Sequence, residues 1–459
     1  MLIGETESLC PKCLRKISAR KVVEKDDVFL EKSCPDHGSF KTIIWRGVTS
    51  YIDRFKFNVK KKKPDQTITD SKNGCPNDCG LCPAHKQRTC VAVLEITNRC
   101  NLNCPYCFAS AKSYNYHPDI QTIEGMYETL LKNCPKPICV QISGGEPTVR
   151  DDLPEIVAMG KEMGIDYIEL NTNAIRLSKD FDYFKELKEK GVDALYFSFD
   201  GLTKDVYEKR CGLDLLDVKL KALENCSKLE IGVVLVPVIE KGVNYDQIGD
   251  IINFAKKWVP TVNGVHFQPL SYFGRYPSLP NNNDRVTIPD ILKAIEAQTR
   301  GELKVENFTP TSCPNVHCDA RSYSVVLENG KLLPLTSNLS CPSCEVEDIS
   351  KKTRDAIKDL WKFPEESIME QLGLGDNLLC GCEPGTWMDL IKRMSENYLT
   401  VSTMAFQDVW NVELERVQEC CIHVVTPDKK LIPFCLFNIT SIDGKSLYRE
   451  KTFSKTNIN

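Results

Sequence analysis

Cys100-Asn101-Leu102-Asn103-Cys104-Pro105-Tyr106-Cys107 sets three cysteines at a C-x3-C-x2-C spacing, just after the β-rich run Val91-Ala92-Val93-Leu94-Glu95-Ile96. Three thiolates on one short loop can hold three irons of a cubane iron–sulfur cluster. The fourth iron is then open to a small molecule, whereas a fully ligated cluster takes four thiolates. Structural zinc sites pair two C-x2–4-C knuckles separated by an intervening stretch, and this triplet closes within eight residues. The spacing therefore predicts a catalytic cluster, against the alternatives of a zinc knuckle or buried free thiols.

A second motif, Ser143-Gly144-Gly145-Glu146-Pro147-Thr148, follows the run Ile138-Cys139-Val140-Gln141-Ile142. Together the two motifs resemble the radical S-adenosylmethionine (SAM) superfamily. The resemblance implies a [4Fe-4S] cluster on Cys100, Cys104 and Cys107, whose open iron chelates the amino and carboxylate groups of SAM. Gly144, Gly145, Glu146 and Pro147 would meet the methionine ammonium, the glycines by letting backbone approach closely and Glu146 by charge-assisted acceptance. Tyr106 would lie beside the adenine.

The middle of the chain alternates strand and helix patterns. After Val91–Ile96 and Ile138–Ile142 come Tyr167–Leu170, Leu195–Phe199, Ile231–Val236 and Val265–Phe267, with helical patterns such as Phe181–Leu187 and Ile248–Trp258 between them. Six such units predict parallel strands with crossover helices. Their polar motifs fall at the C-terminal strand ends, where (β/α) barrels place their chemistry. The pattern matches the partial (β/α)6 barrel of the superfamily, which implies Asn173 at the SAM ribose, Ser198 and Asp200 along the ribose or substrate side, and the Val238 backbone at adenine. The plain alternative for Asn and Ser at strand ends is helix capping.

The chain has 459 residues, 42% of them hydrophobic, and a net charge of −4. That charge argues against a nucleic-acid partner. No run approaches the ~18 apolar residues of a membrane span, and Met1–Ser8 lacks the basic and apolar regions of a signal peptide. The expected location is cytoplasmic. Twenty-three cysteines in that compartment imply metal binding and not disulfides.

Sixteen of them fall in knuckle-like groups outside the triplet: Cys10, Cys13, Cys34, Cys75, Cys79, Cys82 and Cys90 before the barrel, and Cys313, Cys318, Cys341, Cys344, Cys380, Cys382, Cys420, Cys421 and Cys435 after it. Zinc is the conservative reading of any one C-P-x-C turn, but sixteen cysteines suffice for four four-cysteine sites. Cys134, Cys139, Cys211 and Cys226 read as small buried residues. The hairpin between Cys421 and Cys435 resembles the SPASM or twitch extensions of radical SAM enzymes, which predicts an auxiliary [4Fe-4S] cluster on Cys313, Cys318, Cys421 and Cys435.

The fold class predicted is α/β: a partial radical SAM barrel with an N-terminal cysteine-knuckle module and a C-terminal auxiliary-cluster domain. The boundaries expected are a module over 1–58, a linker and cysteine-rich segment over 59–90, a barrel over 91–275 and a C-terminal domain over 276–459. Three motif sets carry a narrower resemblance: Cys10-Pro11-Lys12-Cys13 with Cys34-Pro35-Asp36-His37-Gly38, Cys75–His85, and Cys420-Cys421-Ile422-His423 with Pro433-Phe434-Cys435. They look like the archaeal tetraether lipid synthase group, formerly described as pterin-methylating proteins. That implies SAM, the SAM-binding cluster, one or two auxiliary [4Fe-4S] clusters and a mononuclear rubredoxin-like iron or zinc. It further implies a low-potential donor such as ferredoxin or flavodoxin, and the joining of terminal methyls of archaeol-type lipids. Cys341/Cys344 and Cys380/Cys382 are additional to the group's pattern.

The alternatives are methylation of a pterin of the 7,8-dihydro-6-hydroxymethylpterin type and a zinc-binding scaffold, which would explain the knuckles but not the two barrel motifs. Lys60-Lys61-Lys62-Lys63 reads as a solvated linker or as a patch for peripheral membrane contact, and Leu431–Phe437 as ordinary core or the wall of an alkyl channel. Replacing Cys100, Cys104 and Cys107 together by alanine is expected to abolish reductive release of 5′-deoxyadenosine from SAM while the other metal sites stay loaded. Chromatography of the dithionite reaction checks this, and release at the normal rate would refute the cluster assignment.

Overall fold

The computed structural model describes residues 1–137, 139–336, 362 and 397–454. Six parallel strands form its centre: β5 (Val91–Glu95), β6 (Cys139–Ser143), β7 (Ile168–Thr172), β8 (Ala194–Ser198), β9 (Gly232–Val236) and β11 (Val262–Pro269). They lie in sequence order across the sheet, and the two-residue β10 (Val238–Ile239) pairs with β11 at one end.

Strand side chains alternate between two faces. One face of each strand, carried by Leu94, Ile142, Leu170, Leu195, Leu235 and Phe267, belongs to the main apolar core. Helices supply the other half of that core. In the helix Ile120–Asn133, for example, Ile123, Met126, Tyr127 and Leu130 fall at helical spacing and are buried, and Asp119 caps the first turn by accepting Thr122 N at 2.8 Å. The opposite strand faces turn into the barrel and carry Glu95, Gln141, Ser143, Glu169, Asn171, Tyr196, His266 and Gln268, whose alternating neighbours are the core residues just named. This is the partial (β/α)6 barrel the sequence predicts, with a polar interior that strand periodicity did not reveal.

The residues after the barrel extend its sheet on both edges. β14 (Tyr398–Met404) runs parallel to β11 and is followed outward by antiparallel β12 (Asp319–Val326) and β13 (Leu332–Pro334). On the far edge β15 (Ile422–Val425) runs parallel to β5 and turns back as β16 (Leu431–Pro433). The C-terminal extension is thus built onto the barrel. Ile432, Leu436 and Phe437 are at most 1% exposed within a second apolar cluster and Leu431 is buried in the main one, so these four pack as core. A separate antiparallel sheet of β1 (Leu2–Leu9), β2 (Lys16–Glu24), β3 (Asp27–Cys34) and β4 (Gly38–Arg46) forms the N-terminal module.

The expected lysine linker is partly docked. Lys61 Nζ donates to Ser312 O at 3.3 Å and Pro314 O at 2.6 Å, and Arg88 N donates to Lys62 O at 2.7 Å. The carbonyls of the Cys313 loop supply acceptors that composition could not anticipate. Among the described residues, no helix is long and apolar enough to cross a membrane.

The helix Arg449–Ser454 is locked to β5 by a two-pronged ion pair. Arg449 donates to Glu95 Oε2 at 2.5 Å and Oε1 at 2.7 Å, with both side chains 2% exposed. Arg449→Met strands a buried carboxylate, so a loss of about 3–5 kcal/mol is expected as a lower urea midpoint of the anaerobic protein. Adding Glu95→Leu should recover most of that loss.

Candidate active site and metal centres

The cysteine loop leaves β5 and is gripped from two sides. Gly145 N donates to Thr97 O at 2.8 Å and Glu146 N to Arg99 O at 2.9 Å, so the loop after β6 runs against the chain leading into Cys100. A Cβ on Gly144 would lie 2.2 Å from Thr97 O, and one on Gly145 would lie 2.2 Å from Arg99 O. From the other side Arg275 N and Cys107 O, and Cys107 N and Arg275 O, form a two-bond bridge, while Arg275 Nε donates to Cys104 O at 3.0 Å. Gly274, at φ +53°, allows this approach, since a Cβ there would sit 2.5 Å from Cys107 O.

The sulfurs so held fit a cluster. Cys100 Sγ accepts Leu102 N at 3.3 Å and Cys107 Sγ accepts Ala111 N at 3.4 Å, the N–H···S bonds that tune thiolate-bound clusters. The thiol of Cys104 is pulled below its ordinary value by a hydrogen bond from Cys211, against the effect of burial. Cys211 therefore does more than fill space. It ends the helix Lys204–Cys211 and stands next to a predicted cluster ligand. Cys134 and Cys226 pack in the main core, and Cys139 packs with Tyr167 and Ala194 at the foot of the barrel.

The glycine-rich loop departs from expectation in detail. The Glu146 carboxylate is 1% exposed and saturated: Oε1 accepts Thr148 N at 3.1 Å, Thr148 Oγ1 at 2.6 Å and Thr172 Oγ1 at 2.7 Å, and Oε2 accepts Asn173 N at 2.7 Å. The carboxylate braces the loop and is not turned toward an ammonium. Gly144 and Gly145 likewise serve loop-to-loop contact, and Pro147 starts a short 3-10 turn. Val238 is also committed, because its N–H donates to Asp200 Oδ1 at 3.0 Å and its carbonyl accepts Asn244 Nδ2 at 2.9 Å. These two bonds make Val238 part of a strap that fixes Asp200.

The other expected residues gather at the same strand ends. Asn173 Nδ2 donates to Asn101 Oδ1 in the cysteine loop at 2.7 Å. Ser198 is partly buried at the end of β8. The Arg210 guanidinium lies 5.2 Å from the Tyr106 ring centroid and pairs with Glu240 at 3.1 Å and Asp200 at 4.0 Å. Sequence reading missed Arg210, Arg275 and Lys219. Lys219 is 1% exposed, donates to Asn173 O at 2.8 Å, and has its pKa lowered by burial despite the facing charges of Cys211, Asp200, Glu146 and Cys104. Three cations, Arg210, Arg275 and Lys219, thus stand on or beside the loops that carry and adjoin the three cysteines.

The N-terminal sheet holds a four-ligand centre. Cys10 Sγ and Cys34 Sγ lie 3.6 and 3.4 Å from His37 Nδ1, Cys13 Sγ lies 3.9 Å from Cys34 Sγ, and all four ligand atoms fall within 4.8 Å of one another. Tetrahedral zinc bonds of ~2.3 Å to sulfur and ~2.05 Å to nitrogen put S···S near ~3.8 Å and S···N near ~3.6 Å, so the residues fit an ion. His37 belongs to the quoted motif, yet it was not counted among the ligands.

The remaining described cysteines form triads. Cys75 hydrogen-bonds Cys79, and Cys82 is close enough to repel its charge. Cys90 hydrogen-bonds both Cys313 and Cys421, and its N–H donates to Cys421 O at 2.8 Å. Cys318, Cys420 and Cys435 line an apolar cavity that Cys421 also borders. Of the expected quartet of Cys313, Cys318, Cys421 and Cys435, the last three border this cavity, and Cys313 joins Cys421 at Cys90. Cys341, Cys344, Cys380 and Cys382 lie outside the described residues. Around the cavity, Gln407 N donates to Cys435 Sγ and Arg416 Nη2 to Cys318 Sγ, each at 3.3 Å. His85 Nε2 lies 3.1 Å from His423 Nε2 and donates to Cys420 O at 2.8 Å, binding two motif segments together.

The sequence profile of the Radical SAM superfamily matches residues 94–255, and that of the HMPTM N-terminal zinc ribbon domain matches residues 2–46. The chain is 36% identical to the 7,8-dihydro-6-hydroxymethylpterin dimethyltransferase of Methanocaldococcus jannaschii over 99% of its own length and 96% of that protein. It is 34% identical to a probable GTP 3′,8-cyclase of Pyrococcus abyssi over 36% of this chain and 52% of that one. Streptococcus suis SuiB bound to S-adenosylmethionine aligns over 46% of this chain and 47% of its own, at 18% identity and a TM-score of 0.38.

His37→Ala should cost the protein its mononuclear metal while iron and labile sulfide in the clusters stay unchanged. Elemental analysis of anaerobically purified protein reads both quantities. An unchanged mononuclear content would remove His37 from the ligand set.

Proposed function

We propose, since the chain belongs to the radical SAM superfamily, that it is a methyltransferase of that superfamily acting on a reduced pterin of the 7,8-dihydro-6-hydroxymethylpterin type. It is a radical SAM enzyme, and the family uses SAM and a [4Fe-4S] cluster. The observation that carries the substrate reading is the near full-length similarity to a pterin dimethyltransferase.

The barrel interior supports the same choice. Gln141 Nε2 donates to Glu169 at 2.9 Å, Asn171 Nδ2 to Ser143 Oγ at 3.2 Å, and Gln268 Nε2 to the Tyr196 hydroxyl at 2.7 Å. A heterocycle rich in donors and acceptors can pair with such groups. A phytanyl chain would desolvate them without return, at about 1–3 kcal/mol for each polar group left unmatched. The lipid-joining expectation therefore yields to the pterin reading.

Cys100, Cys104 and Cys107 would hold the SAM-binding cluster, which on reduction supplies a 5′-deoxyadenosyl radical from bound SAM. The chain's own part is positional. The glycine contacts and Arg275 fix the three sulfurs, Glu146 braces the loop beside them, and Asp200 with Arg210 frames Tyr106. Cys75/Cys79/Cys82, Cys90/Cys313/Cys421 and Cys318/Cys420/Cys435 are the ligands we assign to auxiliary clusters, and Cys10/Cys13/Cys34/His37 to one mononuclear ion. A low-potential ferredoxin or flavodoxin is the electron donor this chemistry calls for.

Anaerobic turnover with labelled SAM tests the reading, with the dihydropterin and an archaeol-type lipid offered separately and products weighed by mass spectrometry. Methyl groups on the pterin are expected. An unchanged pterin, with deuterium passing from a labelled lipid methyl into 5′-deoxyadenosine, would overturn the assignment.

A further inference from the structure

Three buried glutamates belong to the barrel strands or their loops, and two are saturated. Glu95 is paired with Arg449, and Glu146 accepts four hydrogen bonds. Glu169 on β7 differs. It is 1% exposed, Oε2 accepts Gln141 Nε2 at 2.9 Å and the Cys139 thiol at 3.8 Å, and Oε1 has no hydrogen-bond partner among the described residues. A buried carboxylate oxygen without a donor is costly and rare.

Its surroundings leave room for one. Strand alternation turns Ile168 and Leu170 into the helix-side core, so Glu169 points into the barrel. At the same level β8 and β9 present only Ala194 and Gly232. Below, Val91, Cys139, Tyr167 and Ala194 close the barrel floor. Beside it Gln141, and above it Asn171, Tyr196 and Gln268, keep partial exposure although they face inward. Burial raises the Glu169 pKa to about 7, with the Gln141 and Cys139 hydrogen bonds opposing, so the group is short of donors in the structure as it stands.

We propose that Glu169, with the Gln141 amide beside it, is the specificity site for the donor edge of the substrate ring, the adjacent exocyclic amine and lactam N–H of a 2-amino-4-oxo heterocycle. The inference rests on the pterin reading above and adds where and how the ring is held. Glu169 Oε1 accepts the amine hydrogen, and the free Gln141 carbonyl oxygen accepts the ring N–H. Tyr196 is already an acceptor for Gln268, so its own hydroxyl hydrogen can be donated to an acceptor on the ring. The ring then lies on the floor with its far side toward the loops that carry Cys100–Cys107.

The test measures binding of 6-hydroxymethyl-7,8-dihydropterin to the anaerobically reconstituted full chain with SAM present. Glu169→Gln keeps the shape but turns an acceptor into a donor. It is expected to weaken pterin binding roughly ten- to a hundredfold, with SAM affinity and substrate-free 5′-deoxyadenosine release unchanged. A pterin analogue lacking the 2-amino group should lose a similar factor against the native protein and nothing further against Glu169→Gln. The analogue's loss against the native protein stands even if the variant fails to fold. Equal pterin affinity of native and Glu169→Gln protein, or full affinity of the native protein for the des-amino analogue, would overturn the Glu169 assignment and leave the pterin reading intact. Failure of the native protein to bind the pterin at all would overturn that reading and this inference with it.

Discussion

Three points of backbone contact where no side chain fits hold the cysteine loop, and the active-site geometry follows from them. Gly144 and Gly145 press on Thr97 and Arg99 at distances that exclude a Cβ, and Gly274 does the same against Cys107. The loop is thus clamped between the chain after β6 and the chain after β11, on opposite sides of the barrel mouth. Glu146 completes the clamp by spending both carboxylate oxygens on Thr148, Thr172 and Asn173. A ligand loop held this way has its sulfur positions set by the fold before any metal arrives, the preorganisation a site with one open coordination position needs.

That arrangement explains what could be read from the chain and what could not. Strands buried on both faces by a parallel barrel announce themselves as short apolar runs, and the motifs at their ends gave the order of the units. The function of each motif residue was less visible. Glu146 and Gly144 stand where the resemblance puts them, but their partners are other loops, and spacing carries no information about partners. The polar barrel interior escaped notice because single polar residues such as Gln141 and Glu169 look unremarkable inside apolar strands. The cysteine partition was illegible for a related reason, since Cys90, Cys313 and Cys421 meet from three remote segments. His37 was in plain view as the second residue after Cys34-Pro35, and only the 3.4 and 3.6 Å approaches to Cys34 and Cys10 identify it as a ligand.

The N-terminal ribbon is wired to the C-terminal extension by charge. Lys21 on β2 pairs with Glu413 Oε2 at 2.9 Å, Glu413 Oε1 with Arg416 at 3.1 Å, and Arg416 reaches Cys318 Sγ. Lys32 on β3, nearly fully buried, donates to Val409 O at 2.7 Å and Ser8 Oγ at 3.1 Å, close to the buried Arg285–Asp408 pair. Buried pairs of this kind add little net stability but make the loss of one partner expensive. They fix the register of the ribbon on the cysteine-lined cavity more than they strengthen it.

The sheet topology also dictates an order of events during synthesis. The barrel edge at β5 stays unpaired until residues near 422 emerge, and the edge at β11 waits for residues near 398. His85 and Cys420, which touch in the finished protein, are 335 residues apart in the chain. Pairings this remote form slowly, and open parallel edges invite other chains in the interval. A nascent chain therefore carries an open border at β5 for most of its time on the ribosome, and a second at β11 late in synthesis. Oxygen exclusion and metal supply must be matched by protection of those borders if heterologous expression is to yield folded enzyme.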